Sequence, residues 1–257
     1  GIPVSTTQSI VGAIIGWNIY TGSPTDMRIL IMIVSTWVLC PVISAVLAMG
    51  LYKLTKYYLN KTKIHLLRLD AYTRATLIFA GAFGAYSLGA NNIANVVGVF
   101  VPVSPFSEIL LFDFLPFTSS QQLFLIGSIA IAVGVFTYSK KVMLTVGNDL
   151  MKLNPSAASI VVISHAIILF LFASTGISNF LQSLNLPSIP LVPVSSSQAI
   201  VGGVLGIGLL KGGKEVKWNI AGKISIGWFC APIIAIIFSI IILFILENVF
   251  GQSISLN

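Results

Sequence analysis

The chain has 257 residues, of which 56% are apolar and only 8% are Asp, Glu, Lys or Arg, with a formal net charge of +7. A water-soluble domain normally carries about a quarter of its residues as charged side chains. So few charges exclude an ordinary soluble domain and predict an all-α membrane protein that crosses the bilayer several times.

The positive charge is confined to three stretches between apolar segments. Thirteen of the fourteen Lys and Arg residues lie in 53–74, 140–152 and 211–223. Such clusters are typical of cytoplasmic loops, where they fix the orientation of a membrane protein. We therefore expect a lipid bilayer, and no nucleic acid, as the partner of this basic chain.

Seven apolar segments follow one another along the chain. Two of them, 3–16 and 193–210, are short and contain glycine, which is typical of half-helices or re-entrant hairpins. The loops 104–121 and 181–191 contain no Lys or Arg and are predicted to lie outside. The other five segments are predicted to cross the bilayer, which takes about 20 residues: 28–52, 75–103, 123–138, 157–180 and 224–249.

An internal repeat relates the two short segments. Residues 2–16 align without gaps to residues 192–206, and eight of the fifteen positions are identical. Further along, Trp37 and Pro41 align with Trp228 and Pro232 after a shift of one residue. Shared Pro, Ser, Gln and Gly positions in register predict a duplication rather than two similar apolar helices.

The two copies differ in the charge of the segments that come after them. Residues 17–27 contain no Lys, whereas residues 211–223 contain four. The helix that follows the first copy leads into the basic loop 53–74. The helix that follows the second copy leads into a stretch without Lys. We therefore expect opposite insertion of the copies, as in the inverted repeats of secondary carriers.

The repeat also divides the chain. We assign 1–60 to the second part of a first repeat, 61–74 to a basic cytoplasmic linker, and 75–257 to the second repeat. Residues 75–191 precede the Pro-Val-Ser element of the second copy, and no comparable segment precedes that of the first. We therefore expect a missing upstream half-repeat that completes the carrier.

Each copy places hydroxyl and amide side chains where a helix is predicted to start. Pro and Ser are favoured at helix starts, and a helix N-terminus offers free N–H groups and partial positive charge to an anion. The alternative is that small residues simply let membrane helices pack closely. We expect these residues to bind a tetrahedral oxyanion: Ser5, Thr6, Thr7, Gln8, Ser195, Ser196, Ser197 and Gln198.

A third polar motif lies inside the apolar segment 75–103. Buried amides in a membrane need partners or a water-filled cavity. We expect Gly89 to permit an unwound backbone, so that carbonyls there bind a hard cation such as Na⁺. Hydrogen bonding between helices is the alternative. The candidate Na⁺ ligands of this motif are Gly89, Ala90, Asn91, Asn92 and Asn95.

No other group in the predicted spans points to chemistry. His165 is expected to hydrogen-bond to a neighbouring helix, with a proton relay as the alternative. Cys40 and Cys230 cannot close a metal shell by themselves. No nucleophile–base constellation is apparent, so we expect neither an enzyme nor a bound cofactor.

Three motifs in order resemble the inorganic phosphate transporter (PiT) family. They are PVSTTQSIVG at 3–12, GANNIANVVG at 89–98 and PVSSSQAIVG at 193–202, and the resemblance covers nearly the whole chain. It implies a multi-pass transporter of the plasma membrane, with inverted repeats, broken helices and re-entrant hairpins. Members are often homodimers and move inorganic phosphate with Na⁺ or H⁺ by alternating access.

The resemblance also implies roles for particular residues. The hydroxyl runs 5–7 and 195–197 would bind phosphate, with Gln8 and Gln198 beside them. Asn91 and Asn92 would lie where the cation and phosphate sites join, and Ser5 and Ser195 would contribute to the Na⁺ site as well.

Two departures from the family pattern favour Na⁺ over H⁺ as the coupling ion. Asn92 stands where the family usually has Asp, and Gln8 and Gln198 stand where many members have His. Both changes remove a titratable group. The sequence leaves open a permease for sulfate or another tetrahedral oxyanion, an anion channel or phosphate sensor, and a scaffold subunit.

Overall fold

The computed structural model describes residues 3–62, 65–112 and 114–254. Within these ranges it contains eight α-helices and one small β-hairpin. The helices are α1 (Thr6–Thr21), α2 (Met27–Lys61), α3 (Leu66–Val97), α4 (Ser119–Leu144), α5 (Pro155–Ala173), α6 (Thr175–Ser183), α7 (Ser196–Leu210) and α8 (Trp218–Asn248).

Shorter elements join some of these helices. A 3₁₀ turn, Gly98–Val103, follows α3, and a π-helical turn, Thr145–Leu150, extends α4. Strands β1 (Ile109–Leu111) and β2 (Leu115–Phe117) pair antiparallel, with Leu110 opposite Pro116.

Four helices of the described chain are long and apolar enough to cross a membrane: α2, α4 with its π-helical turn, α5 and α8. The segment predicted at 75–103 lies in α3 and the 3₁₀ turn after it, and α3 is not among these four. The two short segments form the short helices α1 and α7, as predicted.

The two sequence copies are packed crosswise. Helix α1 of the first copy lies along α8 of the second, and α7 of the second lies along α2 of the first. Gly12 lies against the backbone of Pro232 and Gly202 against that of Pro41, so close that a Cβ on either glycine would collide with the proline carbonyl. Small residues permit this kind of backbone-to-backbone packing between membrane helices.

The register of these contacts fixes helix direction. Gly16 meets Ile236, one turn beyond the contact of Gly12, so α1 and α8 run the same way. Gly206 likewise meets Ala45, one turn beyond the contact of Gly202, so α7 and α2 run the same way. Helix α1 leaves the neighbourhood of Val194 at Thr7, and α2 comes back to it at Cys40, which contacts the Ser195 carbonyl, so the chain reverses direction between α1 and α2. The half-helices α1 and α7 therefore run in opposite directions, which confirms the inverted repeat.

Most of the buried apolar side chains come from helices of the second copy. Helix α5 packs along α3 and also contacts α7 and α2. Its buried side chains Ile160 and Val161 join Val201, Val204 and Ile207 of α7 in the larger apolar cluster. A smaller cluster surrounds the start of α7. The beginning of α7 is thus held by three helices.

Helix α3 corrects one sequence-based prediction. The unwound backbone expected around Gly89 is wrong, because α3 is helical without a break from Leu66 to Val97. The carbonyls of Gly89 and Ala90 belong to the helical hydrogen-bond ladder. A continuous ladder satisfies the backbone groups, which in apolar surroundings an unwound segment would leave unpaired.

Other boundaries also differ from expectation. The predicted linker 61–74 is helical from Leu66 onward, so only a short connection separates α2 from α3. The predicted span 157–180 is broken at Ser174, whose side chain caps α6 by accepting from Ile177 N–H. The loop 104–121, which was predicted to lie outside, contains the β-hairpin, and this hairpin was not predicted.

The crosswise packing leads to a stability prediction. Replacing Gly202 with Ala forces a methyl group against the Pro41 carbonyl, and we expect about 1–3 kcal/mol of destabilisation from such overpacking. A thermal melt of the purified protein in detergent measures it. Gly50→Ala is the matched control, because this glycine likewise lies inside a helix, α2, and a Cβ there meets nothing within 4 Å. Equal melting temperatures for the two variants would contradict the prediction.

Candidate functional site

The three polar motifs meet at one point in the structure. The Thr7 hydroxyl donates to the carbonyl of Val194 at 3.4 Å, which joins the first motif to the second. Asn95 Nδ2 donates to the same Thr7 hydroxyl at 2.9 Å, which joins both to α3. Residues separated by 187 and 88 positions are therefore in direct contact.

Two helix starts face this junction with the same local geometry. Ser5 and Ser195 are the N-caps of α1 and α7, and each accepts from the backbone N–H three residues later at 3.3 Å. The first intrahelical bonds are donated by Ser9 and Ala199. Within the described part of the chain, the N–H groups of residues 6 and 7 and of residues 196 and 197 have no hydrogen-bond acceptor, so these groups are available to an anion.

The amides of α3 line the third side of the site. Asn91, Asn92 and Asn95 are buried, with at most 9% of any of them exposed. Asn95 also donates to Asn92 Oδ1 at 3.3 Å, and Asn92 Nδ2 donates to the Leu88 carbonyl at 3.1 Å. The intact helix thus presents these side chains on one buried face.

Three amide oxygens of the site are buried without a donor among the described residues. They are Gln8 Oε1, Gln198 Oε1 and Asn91 Oδ1. Most buried polar atoms in proteins have a hydrogen-bond partner, because an unpaired one costs free energy. Acceptors without donors suit either a cation or a ligand that carries its own O–H group.

A cavity of about 710 Å³ opens on the first helix start. Ser5, Thr6 and Ser9 line it on one side, Asn95 on a second, and the C-terminal half of α8 on a third. Ser195 and Gln198 of the second helix start lie outside its lining and are almost fully buried.

The structure brings most of the predicted site residues together. Ser5, Thr7, Gln8, Ser195 and Gln198 are buried at the junction. Thr6 is exposed toward the cavity, and Ser196 and Ser197 are partly buried, with Ser197 Oγ 3.1 Å from Ser195 Oγ.

Gly89 and Ala90 are the exceptions. Their backbone belongs to α3, and Ala90, together with Asn91, lines a separate small cavity beside Pro193. His165 is buried in α5, and the expected hydrogen bond to a neighbouring helix is not found among the described residues.

Two contributors were missed in the sequence. The Val194 carbonyl accepts from Thr7, and Trp228 Nε1 donates to the Pro3 carbonyl at 3.1 Å. A backbone carbonyl that accepts a hydrogen bond cannot be recognised from the type of its residue. The repeated Trp is visible in the sequence as Trp37 and Trp228, but the residue type does not indicate this hydrogen bond.

Oppositely directed half-helices with polar starts at a shared buried centre define an inverted-repeat carrier, a class of multi-pass membrane protein. A family model described as the phosphate transporter family matches residues 1–72, 60–179 and 186–256. The chain belongs to the phosphate transporter family.

Individual relatives agree with this assignment. A Methanocaldococcus jannaschii protein provisionally named a phosphate permease is 30% identical over 241 residues, covering 94% of this chain and 68% of the relative. Sodium-dependent phosphate transporter 1 of Homo sapiens is 25% identical over 156 residues, covering 59% of this chain and 20% of its own length.

A solved structure has the same fold. It is of a sodium-dependent phosphate transporter, with a TM-score of 0.71 and 22% sequence identity. The match covers 96% of this chain and 74% of that one.

The junction at Thr7 leads to a second stability prediction. Thr7→Val keeps the shape of the side chain but removes the hydroxyl that links Asn95 to Val194, leaving buried polar groups unpaired. We expect a loss of about 1–3 kcal/mol, measured by thermal unfolding in detergent. Thr137→Val is the control, because that exposed hydroxyl bonds to carbonyls of its own helix. An unchanged melting temperature for Thr7→Val would show that the junction contributes nothing.

Proposed function

We propose that this chain carries inorganic phosphate across the membrane in symport with Na⁺, by alternating access to one central site. The meeting of two oppositely directed helix starts, joined through Thr7 and Val194, is the observation that supports it. Both positive helix ends point at one buried place, which suits a single anion shared between the repeats.

The neutral side chains of the site favour coupling to a cation. The motif residues are Ser, Thr, Gln and Asn, so no Lys or Arg among them offsets the charge of phosphate. Helix ends contribute only partial charge, and moving an uncompensated anion through apolar surroundings is costly. A cation that travels with the anion lowers this cost. The human relative is named a sodium-dependent phosphate transporter, which agrees with this coupling.

Oxygen ligands for Na⁺ are available beside the anion site. Hard cations prefer carbonyl, amide and hydroxyl oxygens. The unpartnered oxygen of Asn91 is the first candidate, and Asn92, Asn95, Ser5 and Ser195 supply further oxygens nearby. Gly89 and Ala90 drop out of this ligand set, because their carbonyls lie within the helical ladder.

The two glutamines favour phosphate over sulfate. Gln8 Oε1 and Gln198 Oε1 are buried acceptors without donors among the described residues. At neutral pH inorganic phosphate carries at least one P–OH group that can donate to such an oxygen, whereas sulfate carries none. A site with unpaired acceptors therefore penalises an anion that cannot donate.

Uptake of labelled phosphate into proteoliposomes tests this function. With an inward Na⁺ gradient we expect accumulation that collapses when K⁺ replaces Na⁺, and that a large excess of sulfate inhibits little. Uptake without any cation gradient, together with electrical conductance, would indicate a channel. Accumulation of sulfate in place of phosphate would overturn the substrate assignment.

Single hydroxyl deletions test the site. Ser5→Ala and Ser196→Ala each remove a group at a helix start, and a hydrogen bond to a charged ligand is worth enough to lower uptake about tenfold or more. Ser128→Ala is the control, because its exposed hydroxyl bonds within α4. Normal transport by both site variants would favour the scaffold alternative.

A further inference from the structure

Two of the three basic stretches meet at one end of the structure. The backbone N–H of Lys217 donates to the carbonyl of Leu150 at 3.0 Å, which joins the connection between α7 and α8 to the π-helical turn after α4. Both stretches, 140–152 and 211–223, also contribute buried side chains to the larger apolar cluster. Lysines that are far apart in the sequence therefore come together at the end of α7.

A cavity of about 410 Å³ lies where these two stretches meet. Lysines outnumber carboxylates among its polar lining residues, and each Lys ammonium and each Asn amide can donate hydrogen bonds. The cavity therefore has the composition of a binding site for an anion. Three lysines, two asparagines and one glutamate make up this polar lining: Asn148, Lys152, Asn154, Lys211, Glu215 and Lys217.

Most of the positive charge in the cavity is not paired within the protein. Lys211 Nζ lies 3.4 Å from Glu215 Oε2. Neither Lys152 nor Lys217 has a carboxylate within ion-pair distance among the residues that the structure describes. Asp149, the other acidic residue of the two stretches, is exposed and does not line the cavity. Lysines without partners attract a phosphate group as point charges.

The rule that places lysines on the cytoplasmic side explains their presence but not their arrangement. It requires positive charge beside the membrane, wherever in the loops that charge lies. Lys214 meets this requirement without lining the cavity. The corresponding connection of the first copy, 17–27, contains no Lys, so the fold of the repeat does not need these charges. Their convergence on one cavity is a separate feature of the second copy.

The cavity lies beside the membrane surface. It follows α4 and precedes α8, two helices that are apolar enough to cross a membrane. Trp218 is exposed at the first position of α8, and Tyr138 is exposed in the last two turns of α4. Exposed aromatic side chains near helix ends are typical of the membrane–water interface. Basic pockets between helices on the cytoplasmic side of a membrane bind anionic lipid headgroups.

We propose that this cavity is a second anion site, for a phosphate-bearing group larger than inorganic phosphate. The headgroup of an anionic phospholipid and a soluble polyphosphate share this chemistry, and the cavity has room for either. Lys152 and Lys217 bind the phosphate oxygens. Asn154 Oδ1 caps α5 by accepting from Ala157 N–H at 2.8 Å, which leaves its amide N–H groups for the ligand.

The site is distinct from the one at Thr7. It lies at the C-terminal end of α7, whereas the polar junction lies at its N-terminal end, a helix of 15 residues or roughly 22 Å away. A bound anion would link the α7–α8 connection, through Lys217, to the segment ahead of α5, through Lys152 and Asn154. It would therefore stabilise the folded protein without occupying the transport site.

Thermal unfolding in a neutral detergent tests binding, because a ligand of the folded state raises the melting temperature. One arm adds phosphatidylglycerol, with zwitterionic phosphatidylcholine as its control. The other adds tripolyphosphate, with sulfate at equal ionic strength as its control. We expect phosphatidylglycerol to stabilise, since the cavity lies beside the membrane surface. Stabilisation by tripolyphosphate alone would keep the site and assign it to a soluble ligand. Stabilisation in neither arm overturns the proposal.

Substitutions of lining residues locate the binding. Replacing both Lys152 and Lys217 with Gln should weaken the apparent affinity about tenfold or more, because two charge-assisted contacts are lost. Glu215→Gln should strengthen it, because a carboxylate that repels the anion is removed. Lys214→Gln is the matched control, with the same loss of charge in the same connection but outside the lining, and should leave the affinity unchanged.

The variants separate a built site from general attraction to positive charge. Equal weakening by Lys214→Gln and by the double variant would overturn the proposal, and so would an affinity that the double variant leaves unchanged. A role of Glu215 in holding Lys211 alone predicts no gain in affinity for Glu215→Gln. None of these measurements uses transport, so their outcome is independent of the proposed function.

Discussion

The hydroxyl of Thr7 is the contact on which the centre of the molecule depends, because it accepts from Asn95 and donates to the carbonyl of Val194. Helix starts carry unpaired N–H groups that cannot face lipid. The starts of α1 and α7 pack against each other and against the amides of α3, so that the N–H groups of both are kept away from lipid. The same solution leaves a polar, positively polarised space inside an apolar protein, which is what an anion carrier needs.

The glycine contacts make that centre geometrically possible. Gly12 on Pro232 and Gly202 on Pro41 bring backbones together without side chains between them, so each half-helix is held along a long helix of the other repeat. The proline at each contact lacks the N–H that would bond to the carbonyl four residues earlier, which is that of Trp228 or Trp37. Crosswise packing therefore holds the two repeats together at equivalent places.

The sequence predicted the centre better than its surroundings. Identity between the copies located both helix starts, and their contact followed from the inverted orientation. The break predicted in α3 is absent from the structure. Gly89 and the asparagines favour a break locally, but in apolar surroundings an unbroken helix is more stable because all its backbone hydrogen bonds are formed. The hairpin Ile109–Phe117 escaped notice, since its all-apolar strands carry no alternating pattern. Partners such as the Val194 carbonyl depend on tertiary packing, which residue identity does not encode.

The side chains of the three motifs that meet at Thr7 are hydroxyls and amides, which do not titrate in the physiological range. Their charge is therefore the same in mildly acidic and mildly alkaline solution. The three motifs therefore contribute no group that changes its protonation over that range. For the phosphate proposed above, it is the ionisation of the anion itself that changes between these conditions at these residues.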